Sequence, residues 1–250
     1  MMTSRNAQFR FYAELNDFLD EEKQKRSFVY TFKGNPAIKD AIEAIGAPHT
    51  EVDLILVNGV SVGFGYQLQA GDRVSVYPVF ESLDITPVAK LRREPLREPC
   101  FILDVHLGKL AKLLRLLGFD ARYSNDYEDD AIVACAVREK RIVLTRDLGI
   151  LKTSAVTHGY WVRSRDPIEQ VREVLRRFDL YKRLRPFQRC MTCNGRLERV
   201  DRAAVVSRVP PQVAAQYQDF FVCAACGKVY WRGSHYERLR QKIDKIVDDD

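Results

Sequence analysis

Two short apolar runs place the strongest limit on what this chain can fold into. CFILD (100–104) and RIVLTRD (141–147) are continuous rather than alternating, and each stops at a carboxylate, Asp104 or Asp147. Strands apolar on both sides belong to sheets covered on both faces, and strands that alternate with helices make such a sheet mostly parallel. The sequence between and beyond them supplies the helices. LGKLAKLLRLLG (107–118) carries apolar residues at helical spacing, with Lys109, Lys112 and Arg115 on the other side and Gly118 at its end. FDARYS (119–124) reads as a strand, DDAIVACAVREK (129–140) as a capped helix and GYWVRS (159–164) as a strand. DPIEQVREVLRRFDL (166–180) is an amphipathic helix opened by Asp166 and Pro167.

The first 80 residues follow a different pattern. AQFRFYAELN (7–16) and SFVYTFK (27–33) alternate apolar and polar side chains and read as a hairpin. NPAIKDAIEAIGAP (35–48) is a short helix with Asn35 as its cap, Pro36 in its first turn and Gly46 as its stop. EVDLILVNGVSV (51–62) offers two strands about an Asn58–Gly59 turn, and DRVSVYPVF (72–80) a last one. Strand, strand, helix, strand, strand is the order of a β-grasp, ubiquitin-like domain over 1–80. Residues 81–99, with three prolines and mixed charge, read as a linker.

Composition removes several classes. Hydrophobic residues make up 46% and charged residues 30% of the 250, which suits globular domains and not disorder. No run approaches the roughly 18 apolar residues of a membrane span, and no secretory leader pattern opens the chain, so a cytosolic protein is expected. Disulfides are then disfavoured, and the six cysteines need other roles. Cys190/Cys193 and Cys223/Cys226 form two Cys-x-x-Cys knuckles with 29 residues between the inner pair. Four thiolates suit tetrahedral zinc in a structural site, here a zinc ribbon with an inserted segment. Gly195 and Gly227 follow the knuckles and let amides turn toward the sulfurs. Cys100 and Cys135 read as small core residues.

Net charge is +6, yet Arg138 to Arg189 alone holds 14 Lys/Arg against 6 Asp/Glu. Such a region attracts polyanions, nucleic acid above all, although a solvated helix face would look the same. Around the knuckles, PFQRCMTCNGRLERV and FFVCAACGKVYWRGSHYERLR interleave aromatics with arginines. Aromatics stack on unpaired bases while arginines hold phosphates; equally, Phe220, Phe221, Tyr230 and Trp231 can be the ribbon's own core. His106, two residues from Asp104, and His235 in RGSHYERL stand beside these elements.

In an open parallel sheet, ligands sit at the carboxyl ends of the strands. Asp104 and Asp147 would converge there, and Asp129 and Asp130, at the start of the intervening helix, can face the same edge. Grouped carboxylates repel unless a hard cation such as magnesium or manganese joins them, and that arrangement can activate water against a phosphodiester. Singly, Asp129 is also a helix cap and Asp147 a turn residue.

FILDVHLGKLAKLLRLLGFDARYSNDYEDDAIVACAVREKRIVLTRD (101–147) resembles the Mut-seven C-terminal RNase family, a branch of the PIN-like nucleases, and the likeness runs on to VYWRGSHYERL near the end. It implies metal-dependent hydrolysis of RNA, with Asp104 and Asp147 holding magnesium or manganese, and Asp129 (favoured, at the cap) or Asp130 completing the shell. Lys109, Arg115, Arg146 and Arg163 are the candidates to hold phosphates. PIN-like nucleases commonly use four acids, of which three positions are assigned; they also often pair as homodimers. The N-terminal module is similar to the sulfur carriers of the ThiS/MoaD type through NGVSVGFGYQLQAGDRVSVYPVF (58–80), but those end on a Gly-Gly that is absent here. The expectation is therefore an α/β protein of three modules: a β-grasp domain (1–80), a PIN-like parallel-sheet domain (100–186) and a zinc ribbon with tail (187–250). Its rival is a non-catalytic RNA- or ribosome-binding adaptor on the same scaffold.

Overall fold

The structure is a computed structural model that describes residues 4–78 and 99–248. The linker reading falls almost wholly outside them. In the first domain β1 (Ser4–Phe11) pairs antiparallel with β2 (Phe28–Lys33), Phe9 opposite Phe28. β3 (Leu54–Val57) and β4 (Val60–Ser61) form a hairpin, and β5 (Arg73–Tyr77) runs parallel to β1, giving the order β2-β1-β5-β3-β4. Asn58 and Gly59 both take positive φ, 52° and 86°, the tight turn that matches strand twist. Helix α1 (Ile38–Ile45) buries Ile38, Ala41 and Ile42 against Phe9, Phe11 and Ile55. This is the expected β-grasp.

Its details correct two readings. The first strand ends at Phe11, and 13–18 turn as a 3-10 segment in which the Asn16 amide is buried, donating to Phe11 O and Ala13 O. Asn35 does not cap α1: Ala37 holds that place, and the Asn35 side chain is tied to Arg5 and Gln69. Gly46 does end the helix, at φ 143°, where a Cβ would run into the Phe18 carbonyl.

In the second domain β6 (Phe101–Leu103), β7 (Ala121–Arg122), β8 (Ile142–Thr145) and β9 (Gly159–Trp161) are all parallel, in the order β7-β6-β8-β9. The continuous apolar runs are explained by cover on both faces. Phe101, Leu103, Ile142 and Leu144 face α2 (Gly108–Leu116) and α5 (Pro167–Arg177), while Ile102 and Val143 face α3 (Asp129–Glu139) and α4 (Leu148–Lys152). Asp166 caps α5 as expected, its carboxylate accepting from the Ile168 and Glu169 amides behind Pro167 at the first turn.

The third part is a three-stranded antiparallel ribbon, β10 (Leu197–Val200), β11 (Phe220–Cys223) and β12 (Val229–Trp231), with α6 (Pro211–Gln216) in its insertion. Helix α7 (Ser234–Val247) then returns to bury Ile243 and Ile246 in the α2/α5 core. The parallel-sheet domain is thus completed by residues well beyond 186.

Both edge strands of the parallel sheet are closed by side chains from the other two parts. On β9, the Trp161 amide donates to Glu51 Oε1 of the first domain at 2.6 Å. Glu51 is fully buried, and its other oxygen lies 3.7 Å from buried Arg177. Burial pushes the Glu51 carboxyl up, against the pull of Arg177 and Arg163. His49 to Val156 O and Lys152 to Glu43 O add to the same junction. On β7, the Ala121 amide donates to Asn194 Oδ1 of the ribbon at 3.1 Å. Removing Glu51 would leave a buried guanidinium and an edge amide unpaired, so Glu51→Ala is expected to cost about 3 kcal/mol in denaturant unfolding, with Glu51→Gln costing less. An unfolding midpoint equal to wild type would contradict the role given to this carboxylate.

Candidate active site and metal centre

Asp104 sits at the carboxyl end of central strand β6 and is 4% exposed. Its Oδ1 accepts from the His106 amide at 2.8 Å, and its Oδ2 accepts from Thr145 Oγ1 at 2.5 Å and the Arg146 amide at 2.9 Å. Thr145 also accepts from the Asp147 amide at 2.8 Å, so the ends of β6 and β8 are locked together through one hydroxyl. Asp147 caps short helix α4, accepting from the Gly149 amide at 2.6 Å, and its side chain is exposed. Asp129 and Asp130 are exposed in the first turn of α3; the N-cap is Glu128 and makes no side-chain capping bond, which corrects the cap reading of Asp129. Among the described residues no three of these aspartates bring carboxylate oxygens within 4.8 Å of one another, whereas the four cysteine sulfurs lie that close.

The proposed phosphate ligands separate. Lys109 is exposed on α2. Arg146 donates to the Arg163 and Ser164 carbonyls and so holds the turn after β9 against the Asp104 loop. Arg115, read as solvent-facing, is 3% exposed: it donates to Ala121 O at 2.8 Å, Met191 O at 3.2 Å and Thr192 O at 2.9 Å, fastening the ribbon to the sheet. Arg163 is held in the junction between domains, donating to Asp17 at 2.8 Å with its guanidinium over Phe18, Tyr160 and Trp161. Neither of these two is presented to solvent as a free cation.

At the ribbon, Cys190, Cys193, Cys223 and Cys226 place their sulfurs within 4.8 Å of one another and could hold one ion. Burial raises the Cys190 thiol, but the Tyr230 hydroxyl at 3.0 Å and backbone amides outweigh it and hold it at about 6. Cys193 is pushed up to about 12 by burial and by the neighbouring thiols, since four thiolates cannot share a site without a cation. The left-handed positions that shape the knuckles are Asn194 (φ 71°) and Gly227 (φ 74°). Gly195 is instead required by proximity, a Cβ there lying 2.7 Å from Cys223 Sγ. Of the aromatics, Phe220 is core, while Phe187 packs at a tilt against Tyr236 and Arg232 lies over Phe221 and Tyr236.

Sequence reading missed Thr145, whose hydroxyl ties the two strand ends, and Asn194, whose side chain reaches both Ala121 N and Asp120. The first had a signal in the LTRD tetrapeptide; the second had none. The cluster about Asp120 also docks the ribbon: Asp120 accepts from buried Arg141 at 2.6 Å and from Asn194 at 2.8 Å, and pairs with Arg189 at 3.2 Å.

The structure thus joins a ubiquitin-like domain, a parallel α/β domain with an acidic strand end and a four-cysteine ribbon in one modular protein. The Mut7-C RNAse domain model matches residues 99–243, more than half of the chain, and the Mut7-C ubiquitin model matches residues 4–84. The chain belongs to the Mut7-C RNAse domain family, which supports a nuclease role directed at RNA. No curated protein and no solved structure matches it. No helix among the described residues is long and apolar enough to cross a membrane.

The Asp120 cluster carries a pH dependence. Hydrogen bonding to Arg141, with burial opposing, holds Glu139 at about 2 against an ordinary 4.5, and Asp120 is lowered by Arg141 and Asn194 against burial. Depressed carboxyls stabilise the fold above their unfolded values, and that contribution is lost as pH falls through the folded ones. Stability is expected to fall between about pH 4.5 and about pH 2, and Glu139→Gln to flatten that limb. Identical acid limbs for the variant and wild type, measured by thermal melts across this range, would contradict it.

Proposed function

We propose that this protein is a metal-dependent ribonuclease acting at the carboxyl end of the parallel sheet. The observation that carries the reading is Asp104: a carboxylate 4% exposed at the end of the central strand, in a chain whose family is that of an RNase domain. Carboxylate oxygens suit a hard divalent ion, and Asp104 Oδ1 accepts one protein hydrogen bond and keeps a lone pair for a ligand. Asp104 and Asp147 would hold magnesium or manganese, with Asp129 or Asp130 completing the set. When bound, the ion supplies an activated water and neutralises charge on phosphate oxygens. The chain's own work is orientation. Thr145 and the His106 and Arg146 amides fix the Asp104 carboxylate, and α4 holds Asp147 at its first residue boundary, exposed to an incoming strand.

One observation favours the adaptor reading. Asp104 already closes the β6 and β8 ends against each other, which is a structural task that needs no reaction. Asp147 separates the two because it is exposed, and its replacement leaves the Asp104 lock intact. The test is cleavage of a cellular RNA pool by the full chain with magnesium, with manganese and with neither. Asp147→Asn is expected to lower cutting roughly 100-fold with little change in melting temperature. Metal-independent cutting, or full activity in Asp147→Asn, would refute the metal site; RNA binding without cutting in either metal would favour the adaptor.

The four cysteines are assigned to structural zinc. Among the described residues the group holds four sulfurs and no histidine or carboxylate, which supports a structural rather than a catalytic role for the ribbon. Metal analysis is expected to give one zinc per chain, and Cys193→Ala/Cys226→Ala to lose it and open residues 187–233 to proteolysis. A zinc-free chain with an intact, protease-resistant ribbon would contradict the assignment.

A further inference from the structure

Many cations of the parallel-sheet domain are paired within the fold, and three that are not share one cleft. Arg141, Arg163, Arg172, Arg177 and Arg189 are each engaged with a carboxylate, so much of the basic segment's charge is spent inside the fold. Lys109, Lys112 and Arg165 are exposed and, among the described residues, have no carboxylate within ion-pair distance. These three line a single open cleft of about 750 Å3, together with His106.

The cleft lies where α2 and the start of α5 meet. His106, Lys109 and Lys112 are spaced three apart and share one side of the α2 segment, and Arg165 faces them from the turn before α5. Asp126 is the one carboxylate in the lining. Tyr123 forms a fixed wall: its hydroxyl donates to Val105 O at 2.9 Å, and it packs so closely on Gly108 that a Cβ there would lie 2.6 Å away. The cleft begins at Val105 and His106, and the His106 amide is the one bonded to Asp104. The cationic side chains thus start one residue beyond Asp104, whose own carboxylate is not part of the lining.

We propose that this cleft seats consecutive phosphates of an unpaired RNA strand as it passes toward Asp104, with Lys109, Lys112 and Arg165 as the contacts. The inference rests on the ribonuclease reading for its direction, and it adds the substrate class. Converging ammonium and guanidinium groups recognise phosphate oxygens without regard to base. A volume in the range of a small-ligand site suits a short stretch of a single strand. The lining holds three cations against one tyrosine, whose hydroxyl is tied to Val105 O, so recognition falls mainly on the backbone.

The test is binding of a short fluorescein-labelled uridine oligonucleotide to the full chain by anisotropy, without added magnesium or manganese, over a salt series. Lys109→Ala/Lys112→Ala and Arg165→Ala are each expected to raise Kd roughly tenfold or more and to flatten the salt dependence. Arg176→Ala/Lys242→Ala, exposed cations outside the cleft, is expected to stay within about twofold. All five residues are on the surface, so melting temperatures check folding independently. Unchanged binding in the cleft variants, equal weakening in the control pair, or equally tight binding of the matching duplex would overturn the proposal. No cutting is needed for this readout. Cleft-dependent binding without metal-dependent cleavage therefore removes the nuclease reading alone, and Asp147-dependent cleavage with cleft-independent binding removes the cleft alone.

Discussion

A parallel sheet of four short strands leaves two rows of unpaired backbone groups, and the rest of this structure depends on how they are closed. A β-grasp carboxylate, Glu51, takes the outward amide of β9, and a ribbon amide, Asn194, takes that of β7. Each is a side chain satisfying a main-chain donor that would otherwise template association. The consequence is architectural: the flanking modules are parts of the sheet's edge rather than attachments on a string. Helix α7 makes the same point from the opposite direction, because the chain passes through the ribbon and returns Ile243 and Ile246 to the core it left.

That closure orders the site. Arg115 spans from α2 to the ribbon carbonyls, Arg146 from the Asp104 loop to the turn after β9, and Arg163 from β9 to Asp17. Three arginines that look alike in sequence are thereby spent on holding segments in register, each stabilised by carbonyls or rings that a phosphate would have to displace. Lys109 and Lys112 on α2 and Arg165 before α5 carry no such ties among the described residues. Opposite charges are thus sorted around one turn, 104–106, with the buried carboxylate on its inner side and the cationic cleft opening from its outer side.

Much of this was legible in the sequence. The continuous apolar runs gave the doubly covered sheet, the Asn-Gly pair the hairpin, Asp166–Pro167 the start of α5, and the two knuckles the sulfur cage. The failures share a cause. Asn35, Asp129, Gly195, Arg115 and Arg163 are residues whose roles depend on contacts with distant or differently oriented segments, and local preference cannot decide between a cap and a tie, or between a solvent cation and a clasp. Asn16 shows it at small scale: the alternating pattern ran on past Phe11, yet its amide turned inward to satisfy carbonyls of the chain's own bend. Glu51 opened a stretch read only as two strands about a turn, and nothing near it announces a partner 110 positions away.

The central claim is that Asp104 and Asp147 act together on one divalent ion. The most direct measurement is manganese binding to the zinc-loaded full chain, followed by the loss of the free-ion paramagnetic resonance signal. The account predicts saturable binding of manganese in the wild type and its loss in Asp147→Asn, a variant that keeps the Asp104 lock and folds normally. Saturation unchanged in Asp147→Asn, or no saturable binding in either protein, would contradict it and leave Asp104 as a fastening between strand ends.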